Sequence, residues 1–176
     1  VNRAAAIAQA QATGRRKWEG ILFGTNPCGE IWLRPNSFCN LTEVVVRAHD
    51  TQETLARKIA LATILGTMQS TMTDFRYLRP IWKKNAEEER LLGVSLTGIM
   101  DNSLMNGSGT EAALVALLYK LKQVAITTNK EYAELLGINQ SAAITCVKPS
   151  GTVSQLVGSA SGIHPRYSDY YIRRVR

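Results

Sequence analysis

Two long stretches of the chain place apolar residues at helical spacing. After Asp50, Leu55, Ile59, Ala62 and Leu65 or Gly66 mark one face of a helix predicted over about 51–72. Asp50 with Glu53 reads as a variant capping box, and Met68 and Met72 read as core filler rather than cofactor ligands. The second stretch starts at Thr110, a good cap, and carries a stripe of Leu114, Leu117, Leu121, Ala125 and Tyr132 to about Leu136, with Gly137 as its stop. A third, Ala-rich pattern over 3–17 ends in Arg15, Arg16 and Lys17, whose cations suit the carbonyl end of a helix.

Between these stretches lie short apolar runs. Residues 38–46, with β-branched Val44, Val45 and Val46, residues 91–96 and residues 142–147 all read as buried strands. Residues 18–23 are expected to be extended and Arg34-Pro35-Asn36 to turn. Pro80 breaks what precedes it, and 83–90 reads as a solvated charged turn or short helix with Glu87, Glu88 and Glu89 exposed. Asn106-Gly107-Ser108-Gly109 lacks the spacing of a phosphate-binding fingerprint and is taken as a connector. Strands alternating with long helices indicate an α/β arrangement with parallel strands.

Composition narrows the classes. The 176 residues are 45% hydrophobic and 20% charged, as in an ordinary globular unit. The net charge of +7, from 21 Lys+Arg against 14 Asp+Glu, suits an anionic partner such as nucleotide phosphates. No aromatic-studded basic stripe or reading module points to nucleic acid. No apolar run of membrane-spanning length and no leader-like start are present, so a soluble, cytoplasmic protein without membrane contact is expected. Cys28, Cys39 and Cys146 are an odd number, with no CxxC or His pair beside them, so no metal site is expected. Catalysis or redox chemistry explains the first two better than a disulfide framework.

The chemistry concentrates in Thr25-Asn26-Pro27-Cys28-Gly29-Glu30-Ile31, followed by Phe38-Cys39-Asn40-Leu41. An amide, a thiol and a carboxylate at alternate positions share one face of a strand, or converge if Pro27 and Gly29 bend the chain into a loop tip. Far downstream, an apolar run leads into Lys148-Pro149-Ser150-Gly151-Thr152-Val153-Ser154. A strand, a small-residue turn and a helix start make an anion site. The dipole interaction contributes only about 0.3–2 kcal/mol, so hydroxyls from Ser150, Thr152 and Ser154 are needed too.

These two motifs resemble ribonucleotide reductases. The Asn-x-Cys-x-Glu core is common to the cobalamin- and iron-dependent branches; the Pro27 and Gly29 spelling and the Asn40-Leu41-Thr42-Glu43-Val44 continuation are similar to the adenosylcobalamin-dependent branch, particularly its monomeric triphosphate reductases. The resemblance covers nearly the whole chain but only part of such an enzyme. The start within an Ala-rich pattern and the strand-like end at Tyr170-Tyr171-Ile172 fit that expectation. It implies part of the ten-stranded α/β barrel, with residues 1–176 contributing a central finger loop at about 24–33 and a substrate-phosphate turn at about 148–154. A cut-out barrel segment is expected to aggregate in isolation.

The resemblance also implies the roles. Cys28 becomes a thiyl radical and takes the ribose 3′-hydrogen, Glu30 accepts the 3′-hydroxyl proton, and Asn26 orients the ribose hydroxyls. Cys39 is one of two reducing thiols, its partner lying upstream. Pro149, Ser150, Gly151, Thr152 and Ser154 hold the substrate phosphates. Adenosylcobalamin, a ribonucleoside triphosphate, a thioredoxin-like reductant and a deoxynucleotide effector bound outside this chain complete the expected set. Cys146 is read as structural, His164 as a structural hydrogen-bonding residue and Tyr170-Tyr171 as strand packing. The alternatives are an iron-dependent diphosphate-reductase large subunit, a non-catalytic basic binding module, and a dithiol redox protein pairing Cys28 with Cys39.

Overall fold

The computed structural model describes residues 4, 7, 8, 10, 11, 14, 16–172 and 174. The helix expected over 3–17 falls largely outside the described residues, as do Arg15 and Arg173. Around the first motif, β1 (Gly24–Thr25) pairs antiparallel with β2 (Trp32–Leu33). The other ladder is parallel: β3 (Asn40–Val45) lies beside β4 (Leu92–Thr97), in register from Asn40 opposite Leu92 to Val45 opposite Thr97. A parallel pair needs a crossover, here supplied by α1 (Gln52–Gln69) and α2 (Pro80–Glu89). Helix α3 (Glu111–Leu136) packs against α1. The core between helices and sheet joins Val44, Val46, Leu55, Ile59, Leu92, Val94, Leu121, Ala125 and Ile144.

The third expected strand, 142–147, is attached to β4 but is not a regular strand. Leu92 N–H donates to Ala143 O and Val94 N–H to Ile144 O, while Cys146 N–H donates to Val94 O. Acceptors on a parallel partner normally lie two residues apart; here they are consecutive, so the ladder breaks and only the Val94–Thr145 bridge remains. Its start is pinned by a buried amide: Asn129 of α3 donates to Thr67 Oγ1 of α1 and Ser141 Oγ, and accepts from Ser141 N–H.

Several local expectations are corrected. The α1 cap is Thr51 exchanging bonds with Thr54, because the Asp50 carboxylate is occupied by Arg47 N–H, Thr54 Oγ1 and Lys58. Pro80 starts α2 at a position where its missing N–H costs no helical bond. Met68 and Met72 are exposed rather than core. Residues 18–23 turn at Glu19-Gly20 instead of extending. Tyr170 and Tyr171 lie in coil; Tyr171 OH donates to Gln155 Oε1 and its ring meets Tyr167 edge-on. Glu89 and Arg16 are buried and paired, not a solvated run and a helix terminus.

A single tight turn sets the direction in which the chain leaves β4. Gly98 has φ +79°, and a Cβ there would stand 2.5 Å from the Val46 carbonyl oxygen. Gly98→Ala is expected to destabilise the fold by about 1–3 kcal/mol, read as a lower urea midpoint at unchanged slope.

Candidate active site

The finger is a hairpin with a four-residue tip. Gly29 N–H donates to Asn26 O at 3.0 Å, closing a turn with Pro27 at its second position, and Gly29 takes φ +82°. Asn26 and Ile31 are joined twice more: Asn26 N–H to Ile31 O at 3.2 Å, and Ile31 N–H to Asn26 Oδ1 at 3.1 Å. The Asn26 amide oxygen is thereby held, and its NH2 group bears on the Glu30 carboxylate. Cys28 is exposed at the tip, whereas the Glu30 side chain beneath it is only 2% exposed.

Both Glu30 carboxylate oxygens are buried, and neither meets a partner in good hydrogen-bond geometry. Burial pushes the Glu30 pKa up, but the Asn26 amide, its own N–H and the Lys148 ammonium outweigh this and hold it below the usual carboxylate range. Lys148 Nζ lies 3.2 Å from Glu30 Oε1. The same ammonium is raised above its ordinary pKa first by a hydrogen bond to the Cys28 side chain and then by Glu30.

The other two thiols gather here as well. Cys39, half-buried just before β3, is pushed up by burial and by the Glu30 charge. Cys146 is pushed up to about 12 by burial, Glu30 and Cys39. Its position is set by Gly93 of β4, where a Cβ would stand 2.5 Å from Leu41 Cδ2, 3.1 Å from Cys146 Sγ and 3.2 Å from Ile31 Cδ1. Cys146 is therefore a neighbour of the site rather than a remote packing residue. Its other side lines an apolar cavity of about 480 Å³ with Val94, Leu114 and Leu121.

The downstream motif joins the finger through Lys148. Beyond it, Pro149, Gly151 and Thr152 are exposed, and Thr152 begins the single-turn helix α4 (Thr152–Leu156). Gly151 caps α4 with no side-chain bond, and the Ser150 hydroxyl is buried with no partner. Ser154 is fully buried and its hydroxyl donates to Gly151 O, so it braces the turn. Ser161 Oγ also donates to Ser150 O, and Gly162, with φ +56°, packs against the Lys148 carbonyl and Ser150 N. His164 Nδ1 lies 3.2 Å from Ser161 O, in a structural contact. Among the described residues no cluster of metal-ligating side chains forms, and no helix is long and apolar enough to cross a membrane.

Neither Lys148 nor Cys146 was assigned to the site from sequence. Lys148 carried a usable signal, a cation leading into an anion-binding turn; Cys146 carried none beyond being a third free thiol.

Comparison with known proteins gives consistent relatives. No family model matches the chain. It is 35% identical to the adenosylcobalamin-dependent ribonucleoside-triphosphate reductase of Lactobacillus acidophilus, over 87% of this chain and 23% of that protein. Against the Lactobacillus leichmannii protein of the same description the identity is 32%, over 90% of this chain and 24% of the relative. A crystal structure described as a B-12 dependent (class II) ribonucleotide reductase superposes with a TM-score of 0.69 at 28% identity, over 85% of this chain and 24% of that one. The chain thus spans about a quarter of the length of the curated relatives it matches, and its parallel ladder with covering helices fits a segment of their α/β barrel.

Proposed function

For a chain that belongs to the adenosylcobalamin-dependent ribonucleotide reductases, we propose that the enzyme it forms part of reduces ribonucleoside triphosphates to 2′-deoxyribonucleotides by radical chemistry at Cys28. The observation that carries this reading is the hairpin that presents Cys28 at an exposed tip two residues before the buried carboxylate of Glu30, with the Lys148 ammonium shared between them. The relatives are described as adenosylcobalamin- or B-12-dependent, which favours that cofactor over iron.

Displacing a 2′-hydroxyl from an unactivated carbon is difficult, and a radical at the adjacent carbon makes it feasible. Cys28, as a thiyl, takes the 3′-hydrogen. Glu30 accepts the 3′-hydroxyl proton; being ionised below the usual carboxylate range, it is a competent base at neutral pH. The Asn26 NH2 group, its oxygen held by Ile31 N–H and its amide set beside the Glu30 carboxylate, orients the ribose hydroxyls. Cys39, kept a neutral thiol, delivers the proton with which the 2′-oxygen leaves as water. Cys39 and a partner thiol outside this chain then give two electrons and form a disulfide. Ribonucleotide and two thiols thus become deoxyribonucleotide, water and disulfide, which a thioredoxin-like dithiol reduces again.

Pro149, Ser150, Gly151 and Thr152 provide the phosphate turn, with the unpartnered Ser150 hydroxyl and the N–H groups at the start of α4 as donors and Ser154 as its brace. The cofactor, when bound, supplies the radical that converts the Cys28 thiol to the thiyl. The exposed tip of Pro27, Cys28 and Gly29 fits that approach and is the part of this chain that would face it. A deoxynucleotide effector binds elsewhere on the enzyme, and the three free thiols suit the reducing cytoplasm.

The test is tritium release to water from adenosylcobalamin labelled at its 5′-carbon, using the full-length enzyme with an effector nucleotide. Wild type is expected to release label and Cys28→Ser none, because a serine hydroxyl holds its hydrogen too strongly to exchange. No release from a folded, nucleotide-binding wild type would overturn the cobalamin reading in favour of the iron-dependent one.

A further inference from the structure

We propose that Lys148 is a positioning residue of the radical site: its ammonium spans the Cys28 sulfur and the Glu30 carboxylate and fixes the charge and aim of the base while the thiol stays in register. This rests on the roles given to Cys28 and Glu30 above and goes beyond the phosphate turn, which Lys148 merely precedes in the chain.

The geometry is specific. Nζ stands 3.2 Å from Glu30 Oε1, with the lysine side chain 22% exposed and the glutamate 2%. The approach is too bent for a good hydrogen bond, so the carboxylate is paired in charge while neither of its buried oxygens is taken up by a full hydrogen bond. A base needs that combination: ionised before substrate arrives, yet not already hydrogen-bonded. The lysine backbone is held from the far side. Asp101 Oδ2 accepts from Ala160 N–H at 2.7 Å, while Thr97 Oγ1 donates to Ala160 O and accepts from Gly162 N–H. Gly162 in turn packs on the Lys148 carbonyl. Thr97 at the end of β4 and Asp101 just beyond it thereby brace the backbone from which Lys148 projects, and the ammonium ties the phosphate turn to the finger.

The groups that bear on Glu30 are Asn26 from the finger, Lys148, and the thiols Cys39 and Cys146. Both of these thiols are pushed upward and stay neutral around neutral pH. After the Asn26 amide and the Glu30 N–H, Lys148 is the charged neighbour that helps hold the buried carboxylate ionised against its desolvation. Removing it takes away the cation among the groups that offset burial and leaves the Asn26 amide and the Glu30 N–H, so the Glu30 pKa rises and the acid limb of the rate profile moves to higher pH.

The experiment measures deoxynucleotide formation against pH for the full-length enzyme with adenosylcobalamin, comparing wild type with Lys148→Met and Lys148→Arg. For Lys148→Met the acid limb is expected to move up by about 1–3 pH units, kcat to fall, and KM for the triphosphate to change little. Lys148→Arg, which keeps the charge, should restore the limb. Lys148→Gln, which keeps a donor without the charge, should shift it as Met does, and gives the same reading if the Met variant folds poorly. An active wild type whose limb is unmoved in Met and Gln, with KM raised instead, overturns this inference alone and makes Lys148 a phosphate ligand. A wild type that forms no deoxynucleotide overturns the functional reading and this inference with it.

Discussion

Glu30→Gln lowers deoxynucleotide formation by about 10²- to 10⁴-fold, the usual contribution of a positioned general base, while leaving tritium exchange between the cofactor and Cys28 in place. The two readouts separate because exchange needs only the exposed thiol, whereas passage from the 3′-radical to water loss needs the 3′-hydroxyl proton removed. Glutamine keeps the shape of the buried side chain and its neighbour Asn26, so a collapse of the finger does not explain the loss. Measured side by side, Cys28→Ser loses both signals and Glu30→Gln only the second. Equal loss of both in Glu30→Gln would show that the carboxylate supports the loop and is not the base.

That separation depends on a site whose parts were unequally visible in the sequence. The finger trio is contiguous, so alternate spacing around Pro27 and Gly29 was enough to foresee convergence; the structure realises it as a loop tip. Helices α1 and α3 were legible because a stripe, a cap and, for α3, a glycine stop agreed on each. The α1 cap slipped by one residue because Asp50 is recruited by Lys58, a contact that propensity does not encode. Residues 142–147 read as a strand from their apolar run, yet consecutive acceptors at Ala143 and Ile144 are a register detail set by packing on β4. Lys148 and Cys146 enter the site only because Gly93 lets the downstream segment lie close beside Ile31 and Leu41, and no local pattern announces that approach. The acidic run was misread for a related reason: Glu89 finds Arg16 at a separation of 73 residues.

Glu89, buried and paired with two arginines, also carries a large expected stability effect. Glu89 accepts hydrogen bonds from Arg16 Nε at 2.8 Å and Ser37 Oγ at 3.4 Å and is ion-paired with Arg34, whose Nε stands 3.4 Å away, and all three charged side chains are at most 7% exposed. Arg16 continues to the Trp32 carbonyl at 2.5 Å, and Arg34 to Glu88 and the Asn85 carbonyl, so the network clamps the return arm of the finger onto α2. Glu89→Ala leaves two buried guanidinium groups short of their shared carboxylate. The expected cost is about 3–5 kcal/mol, the range for breaking a buried pair from one side, read as a lower urea midpoint. At temperatures where the variant stays folded, activity should still fall, because displacing a reacting group by about 1 Å can cost on the order of 10²-fold. Glu89→Gln, which keeps acceptor and shape, should recover part of both losses. An alanine variant with the wild-type midpoint would mean that Glu88 alone holds the two arginines and that the finger is anchored from its other arm.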